Sequence, residues 1–361
     1  MLAFRTGTRL RRLGALVAVG VMATSLAACG SDDESADSDS PGSSEDNYEV
    51  QLGYFPNLTH ASAIVGIKQG LFEKDLAEDG ATLKTLDFNS GSDTIEALLG
   101  GSLDATYIGP SPAITAYATS HNVSIISGAT SGGASLVVNS DITSPEDLAG
   151  KTLASPGSAN TQDVALKYWL GQQGYDVTAD GTGDVTVINQ DNSLTIQQFK
   201  TGDIDGAWVP EPYASELVSA GGTVLQDEAD LWPGGQFVTT HLLVSNDFMD
   251  QHPTLVEDLL QGQIEANDYI NDNSDDAKTL VGDYIAELTG GEIPADALDA
   301  GWAKLTFTDD PIADSLLDSA DHAVANGQLE QIDDLADIYN LDPLNKLLAD
   351  AGEPEVSGPS S

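Results

Sequence analysis

Arginine is missing from all but the first dozen residues of this 361-residue chain, where Arg5, Arg9, Arg11 and Arg12 are its only copies. The rest therefore has no bidentate guanidinium clamp for a sulfonate, phosphate or carboxylate. An anionic ligand would fall to helix N-termini, backbone N–H groups and at most a lysine. Cysteine occurs once, at Cys29, so no disulfide can form within the chain. The five histidines, His60, His121, His241, His252 and His322, show no metal spacing such as HExxH. No GxxxxGK[ST] phosphate loop and no GxSxG nucleophile elbow occur. Neither a metal nor a cofactor is expected. No apolar run beyond the N-terminal segment is long enough to cross a bilayer.

Carboxylates are in excess. From residue 29 onward, nine lysines set against 58 Asp and Glu leave a formal charge of −49. That charge excludes nucleic acid, or an anionic membrane surface, as a partner held by a basic patch. So many acids also prevent a catalytic pair from being singled out. Self-repulsion on this scale costs stability unless salt screens it, which points to a salt-loving source.

The N-terminus reads as an export signal. Basic residues precede an apolar run starting near Leu13, and Leu26-Ala27-Ala28-Cys29 closes it. A cysteine directly after small residues resembles a bacterial lipobox, which implies cleavage before Cys29 and a lipid on its thiol. The alternative is an ordinary secretory signal with a coincidental cysteine. Residues after Arg11-Arg12 match twin-arginine export poorly, so the pair reads as a plain basic start. The expected domains begin with a signal peptide at 1–28 and a lipidated, acidic, flexible tether at 29–47, which lacks large apolar side chains up to Asn47. The expected address is extracytoplasmic, anchored to the outer face of the cytoplasmic membrane.

From Tyr48 to about Ala351 short strands alternate with amphipathic helices, an α/β pattern. Strands are expected at 48–53, 81–88, 103–108, 123–127, 135–139, 151–154, 185–189, 204–208, 223–225 and 237–244. Helices are expected at 60–69, 93–99, 111–120, 161–170, 194–200 and 213–218. After 244 the chain turns mainly helical, at 253–271, 275–288, 295–298, 312–325 and 344–349. Two apolar strands bracket a self-contained α/β unit, so the expected organisation is two lobes joined by two crossings. Lobe 1 comprises 48–138 and 240–351, lobe 2 comprises 139–239, and 352–361 is a disordered tail.

Several stretches together resemble the solute-binding proteins of ABC importers in the nitrate/sulfonate/taurine group. They are GYFPNLTHA (53–61), GLFEK (70–74), YIGPSPA (107–113), SGATSGGASLVV (127–138), DLAGKTLASPGSANTQDVALKYWL (147–170), GDIDGAWVPEPYAS (202–215) and DLWPGGQFVTTHLLV (230–244). The last three are most similar to the aliphatic-sulfonate branch. The likeness covers nearly all of 48–270. It implies a type II periplasmic-binding-protein fold, with two mixed sheets and a two-crossing hinge. It further implies a small anionic, alkanesulfonate-like ligand in the interlobe cleft and an ABC permease as partner. A monomer is expected.

Ligands of open α/β sheets sit beyond the carboxyl ends of strands, at loops that open helices. Candidates are Asn57, Thr59 and His60 after the first strand, where Thr59 can cap a helix and His60 can donate to an anion. Ser111 lies between two prolines that remove donors. Thr130, Ser131 and Gly132 precede the first crossing and read equally as a plain hinge turn. Asn160, Thr161 and Gln162 open a helix, with Asn160 or Thr161 as cap, and make the best anion cradle. Trp208 either walls the cleft or belongs to the core. Glu211 would repel an anion and more naturally shapes its loop. Phe237 and Thr240 near the second crossing are further candidates.

The leading expectation is a transport receptor for an aliphatic sulfonate. Nitrate, taurine or a thiamine-type pyrimidine precursor are alternatives on the same fold. An enzyme resembling pyrimidine-precursor synthases conflicts with export, because that chemistry needs cytoplasmic cofactors. A sensory or adhesive surface lipoprotein is the third reading.

Overall fold

Burial along each strand sorts the centre of the sheets from the edges. The computed structural model describes residues 47–360; the expected signal peptide, Cys29 and the tether up to residue 46 lie outside the described residues. The first run of elements is β1 (Glu49–Tyr54), α1 (Ala61–Gln69), α2 (Leu71–Glu78), β2 (Thr82–Asp87), α3 (Gly91–Leu99), β3 (Ala105–Ile108), α4 (Pro110–Ser120) and β4 (Val123–Gly132). The second is β5 (Ala134–Val138), β6 (Thr152–Ser155), α5 (Thr161–Gln172), β7 (Thr186–Asn189), α6 (Asn192–Thr201), β8 (Gly206–Pro210), α7 (Tyr213–Ser219) and β9 (Thr223–Asp227). The third is β10 (Val238–Ser245), α8 (Asn246–Gln251), α9 (Pro253–Asp272), α10 (Ser274–Thr289), α11 (Ala295–Trp302), β11 (Leu305–Phe307), α12 (Ala313–Ala325) and α13 (Asp342–Ala351).

β3, β4, β5 and β8 are buried along their whole length, as strands covered on both faces must be. β2 and β7 are only partly buried and lie at sheet edges. The strands form two mixed sheets, ordered β11-β4-β10-β3-β1-β2 and β7-β6-β8-β5-β9. In the first, β1, β2 and β3 are parallel while β10 runs antiparallel to β3 and β4. In the second, β6, β7 and β8 are parallel and β5 is antiparallel to β8 and β9.

Helices cover both faces of each sheet. On the first, α1, α2, α9 and α10 pack around Leu52, Ile64, Phe72 and Leu260, while α4 and α12 pack on the other face around Ile114, Ile125 and Leu316. On the second, α5 packs through Leu166, Trp169 and Leu170, and α6 and α7 through Ile196, Phe199 and Leu217.

The first crossing falls at Gly132-Gly133, which both hold positive φ (84° and 77°). A Cβ on Gly132 would lie 2.5 Å from the Lys304 carbonyl oxygen, so the chain turns here only without side chains. The expected lobe boundary at 138 is thereby corrected: β5 pairs only with β8 and β9, and belongs to the second sheet. The sequence reading also missed α2. That helix is short, follows Gly70 in the left-handed region, and buries mainly Phe72 and Leu76. The tail expected to be disordered is instead tied down. Asn345 brackets Val356 by accepting its N–H (2.8 Å) and donating to its carbonyl (3.0 Å), and the Ser360 N–H donates to Asp314 (2.8 Å).

Candidate functional site

All six parallel strands end at one place between the two sheets. A cavity of about 50 Å³ lies there, beyond their carboxyl ends. Phe55, Asn57, Thr59 and His60 come from the loop after β1, Asn89 follows β2, and Gly109 and Pro112 follow β3. From the second sheet, Pro156, Asn160, Thr161 and Gln162 follow β6, Asn192 follows β7, and Pro210 ends β8. Thr239 completes the wall from β10.

The lining contains amides, hydroxyls, an imidazole, prolines and a phenyl ring, with neither a lysine nor a carboxylate. His60 is buried, and its Nδ1 accepts the Phe55 N–H at 3.2 Å while its ring stacks on Phe55. An accepting Nδ1 places the ring proton on Nε2. Burial pushes the imidazole down to about 3, so at neutral pH His60 is an uncharged donor.

The first turn of α5 supplies the other donors. Asn160 is its N-cap in an extended conformation but makes no side-chain cap bond, so the N–H groups of Thr161 and Gln162 are left for another acceptor, while that of Asp163 donates to the Asn160 carbonyl oxygen at 3.0 Å. The loop ahead of it is pinned from behind: Ala159, in the left-handed region at φ 56°, donates its N–H to Asp163 at 2.9 Å. Asp163 is fully buried and also accepts from Ser155 (2.7 Å), Asn189 (2.8 Å) and Lys167 (2.8 Å). A paired carboxylate in the first turn thus fixes the helix end without facing the cavity.

Glycines let the two walls approach closely. A Cβ on Gly109 would meet Thr161 Oγ1 at 2.6 Å, and one on Gly91 would meet Asn160 Oδ1 at 2.8 Å. The Leu58 N–H also bridges to the Glu211 carbonyl oxygen at 3.1 Å.

A larger cavity of about 280 Å³ adjoins the first and shares Asn89 and Asn192 with it. Its wall includes Pro56, Tyr213 and two exposed acids, Asp87 and Asp191. Asn192 Oδ1, on the shared wall, is buried and has no hydrogen-bond partner.

Asn57, Thr59, His60, Asn160, Thr161 and Gln162 are thus brought to one cavity. The other candidates are not. Ser111 faces a separate void of about 10 Å³ between α4, α5 and the end of α12, with its hydroxyl buried and unpartnered. Thr130 and Ser131 are buried in β4, where Ser131 Oγ accepts the Phe237 N–H, and Gly132 forms the crossing. Trp208 is corrected from cleft wall to core. It lies mid-strand in β8, fully buried beside Trp169, and its Nε1–H donates to Glu228 at 2.7 Å. Glu211 is buried at the hinge, where it accepts the Ser215 N–H (3.0 Å) and pairs with Lys304 (3.3 Å). Thr240 points away, and its neighbour Thr239 lines the cavity. Asn89, Asn192, Pro156 and Pro210 were missed; each follows or ends a strand, a position shared with many turn residues.

Comparison with known proteins agrees with this architecture. Residues 43–283 match the NMT1-like family. The taurine-binding periplasmic protein of Escherichia coli (strain K12) is 31% identical over 194 residues, covering 52% of this chain and 58% of that relative's length. The putative aliphatic sulfonates-binding protein of Bacillus subtilis (strain 168) is 26% identical, covering 75% of this chain and 77% of the relative. The crystal structure of the periplasmic nitrate-binding protein of Synechocystis PCC 6803 superposes with a TM-score of 0.71 at 16% identity, over 85% of this chain and 89% of that one. At that identity the likeness is one of fold.

Proposed function

We propose that this chain, which belongs to the NMT1-like family, is the extracytoplasmic receptor of an ABC importer, with a small organic sulfonate as its ligand. The observation that carries the reading is a cleft where uncharged donors face one cavity free of carboxylates. The opening N–H groups of α5 and the Nε2–H of His60 present a positive end to a charged oxygen. Such bonds to an anion are shorter and stronger than neutral ones.

One lobe carries the first sheet and the other carries the second. A ligand touching both favours the closed arrangement by its differential affinity. The closed pair would then be recognised by the membrane permease. A lipid on Cys29 would keep the receptor at the outer face of the cytoplasmic membrane as a monomer. The lining holds no carboxylate, and His60 already spends its basic nitrogen on Phe55, so the reading is capture and release without chemistry.

Titration calorimetry against ethanesulfonate, taurine, nitrate and sulfate tests this. Micromolar or tighter binding of a sulfonate is expected, with loss on replacing Thr161 by Phe. Heat with none of the four would sink the assignment.

A specific observation favours an aminoalkanesulfonate within that class. Asn192 Oδ1 is an unpartnered acceptor on the wall shared with the cavity that carries Asp87 and Asp191. A ligand with its sulfonate at α5 and an ammonium at the far end suits both poles. Taurine then binds at least tenfold tighter than ethanesulfonate, and Asp191→Asn narrows the gap.

A further inference from the structure

Beyond the ligand cavity, the lobes meet along a second seam where α12 and the turn after it rest on α5. The turn residues belong to the first lobe: Leu329 packs with Ile114 and Leu316 against the first sheet, while α5 packs on the second. Gln328 Nε2 donates to Asp163 Oδ2 at 2.7 Å across this seam. Asn326 Nδ2 donates to the Val164 carbonyl at 3.0 Å and to Gln328 Oε1 at the same distance, which holds the Gln328 amide in place. The small void containing the unpartnered Ser111 hydroxyl lies between the same two walls.

Asp163 therefore has two roles in one side chain. It sits in the first turn of the helix that presents N–H groups to the cavity, and it fixes the preceding loop through Ala159. It is also the point where the opposite lobe takes hold. Inside its own lobe the carboxylate already has Ser155, Asn189, Ala159 and Lys167 as donors. The Gln328 bond is the one that lobe opening would remove.

We propose that Gln328 and Asn326 form a clamp on Asp163 that sets ligand affinity without touching the ligand. The clamp rests on the receptor reading above, since it acts by stabilising the closed arrangement. Closure aligns the α5 donors and makes the clamp in one motion. A ligand and the clamp then stabilise the same state, and loss of either weakens the grip of the other.

The test uses the full chain, with taurine and ethanesulfonate as probes. Gln328→Ala removes a hydrogen bond to a charged group, for which roughly 10- to 100-fold weaker binding is expected. Gln328→Glu places a second carboxylate against Asp163 and weakens binding further. Both losses appear mainly as faster dissociation, because the cavity itself is unchanged. In small-angle scattering of the ligand-free protein, Gln328→Glu has a larger radius of gyration than the parent, with the same circular dichroism. Affinities within twofold of the parent in both variants would overturn the clamp. If the parent binds neither probe, the receptor reading fails separately and scattering decides: an expanded Gln328→Glu supports the clamp, and an unchanged radius overturns it.

Discussion

Replacing Gly109 by alanine tests whether the two walls of the cleft meet as closely as the geometry requires. Gly109 has φ −74° and ψ 164°, which any residue adopts, so the substitution carries no backbone strain. Its consequence is purely one of space. The new Cβ would sit 2.6 Å from Thr161 Oγ1 and 3.4 Å from the Thr239 carbonyl oxygen. The first distance is about 0.8 Å short of van der Waals contact. Thr161 can relieve it only by turning a β-branched side chain with restricted χ1, or by withdrawing α5. Overpacking of this kind costs roughly 1–3 kcal/mol. Gly109 and Thr161 lie on opposite walls, so the penalty falls on the closed arrangement alone. Taurine affinity should then drop by about 5- to 150-fold while circular dichroism of the ligand-free protein stays unchanged. A Thr161→Ser background should recover most of the loss, since a serine hydroxyl without the γ-methyl turns away freely. Titration calorimetry on the two single variants and the double variant gives the coupling directly. Binding of Gly109→Ala within twofold of the parent would refute the close approach of β3 and α5.

Other consequences follow from the buried ionisable groups. Burial pushes Glu228 up to about 7 and Asp309 to about 6, and burial together with neighbouring carboxylates pushes Asp258 up to about 7. The folded state then holds protons that the unfolded chain releases above its ordinary carboxylate range. Stability therefore falls as pH rises from about 5 to 8, and melting curves at fixed ionic strength should show the higher Tm at the acid end of that window. Since His60 stays neutral down to about 3, ethanesulfonate affinity should not tighten between pH 8 and pH 5; tenfold tightening by calorimetry would mean an imidazolium does the binding. Trp208→Phe removes one of the two indole donors to Glu228, the other being Trp232, and should cost roughly 1–3 kcal/mol in denaturant unfolding. The same variant should keep ligand affinity within twofold, because Trp208 belongs to the core.

Residues of the site were legible where a strand end and a helix start coincide in sequence. Asn57, Thr59, His60, Asn160, Thr161 and Gln162 carry that double signal, and all six reach the same small cavity. Trp208 takes the core reading because β8 continues two residues beyond the apparent strand. Pro210 still pairs with Ala134 at the sheet's end, which leaves Trp208 in mid-strand facing the core. Thr239 and Thr240 differ by one step of strand alternation, and a one-residue uncertainty in register reverses which of them faces the cavity. Asn89 and Asn192 carry no local signal of their own. They become site residues only because β2 and β7, at the outer edges of separate sheets, end opposite each other. The boundary at 138 erred for a similar reason: the apolar run of β5 shows a buried strand but not which sheet receives it.

An anion site in a chain this acidic also makes a prediction about salt. Eight of the nine lysines already lie within 4 Å of a carboxylate, among them Lys167 with Asp163 and Lys304 with Glu211. None lines the cavity, so the attraction must come from fixed backbone and side-chain dipoles at short range. Most of the acids, by contrast, are exposed and act on an approaching anion from a distance. Salt separates these two terms. Raising it from about 0.1 M to 1 M shortens the screening length from about 10 Å to about 3 Å. That removes the long-range repulsion while hardly touching short hydrogen bonds inside the cleft. Sulfonate affinity should therefore rise with sodium chloride, through faster association, and the Tm should rise with it as self-repulsion is screened. A site clamped by lysine would do the reverse, because the same screening would weaken its main attraction. Association rates that fall steadily with salt would mean that a positive side chain, and not the start of α5, holds the ligand.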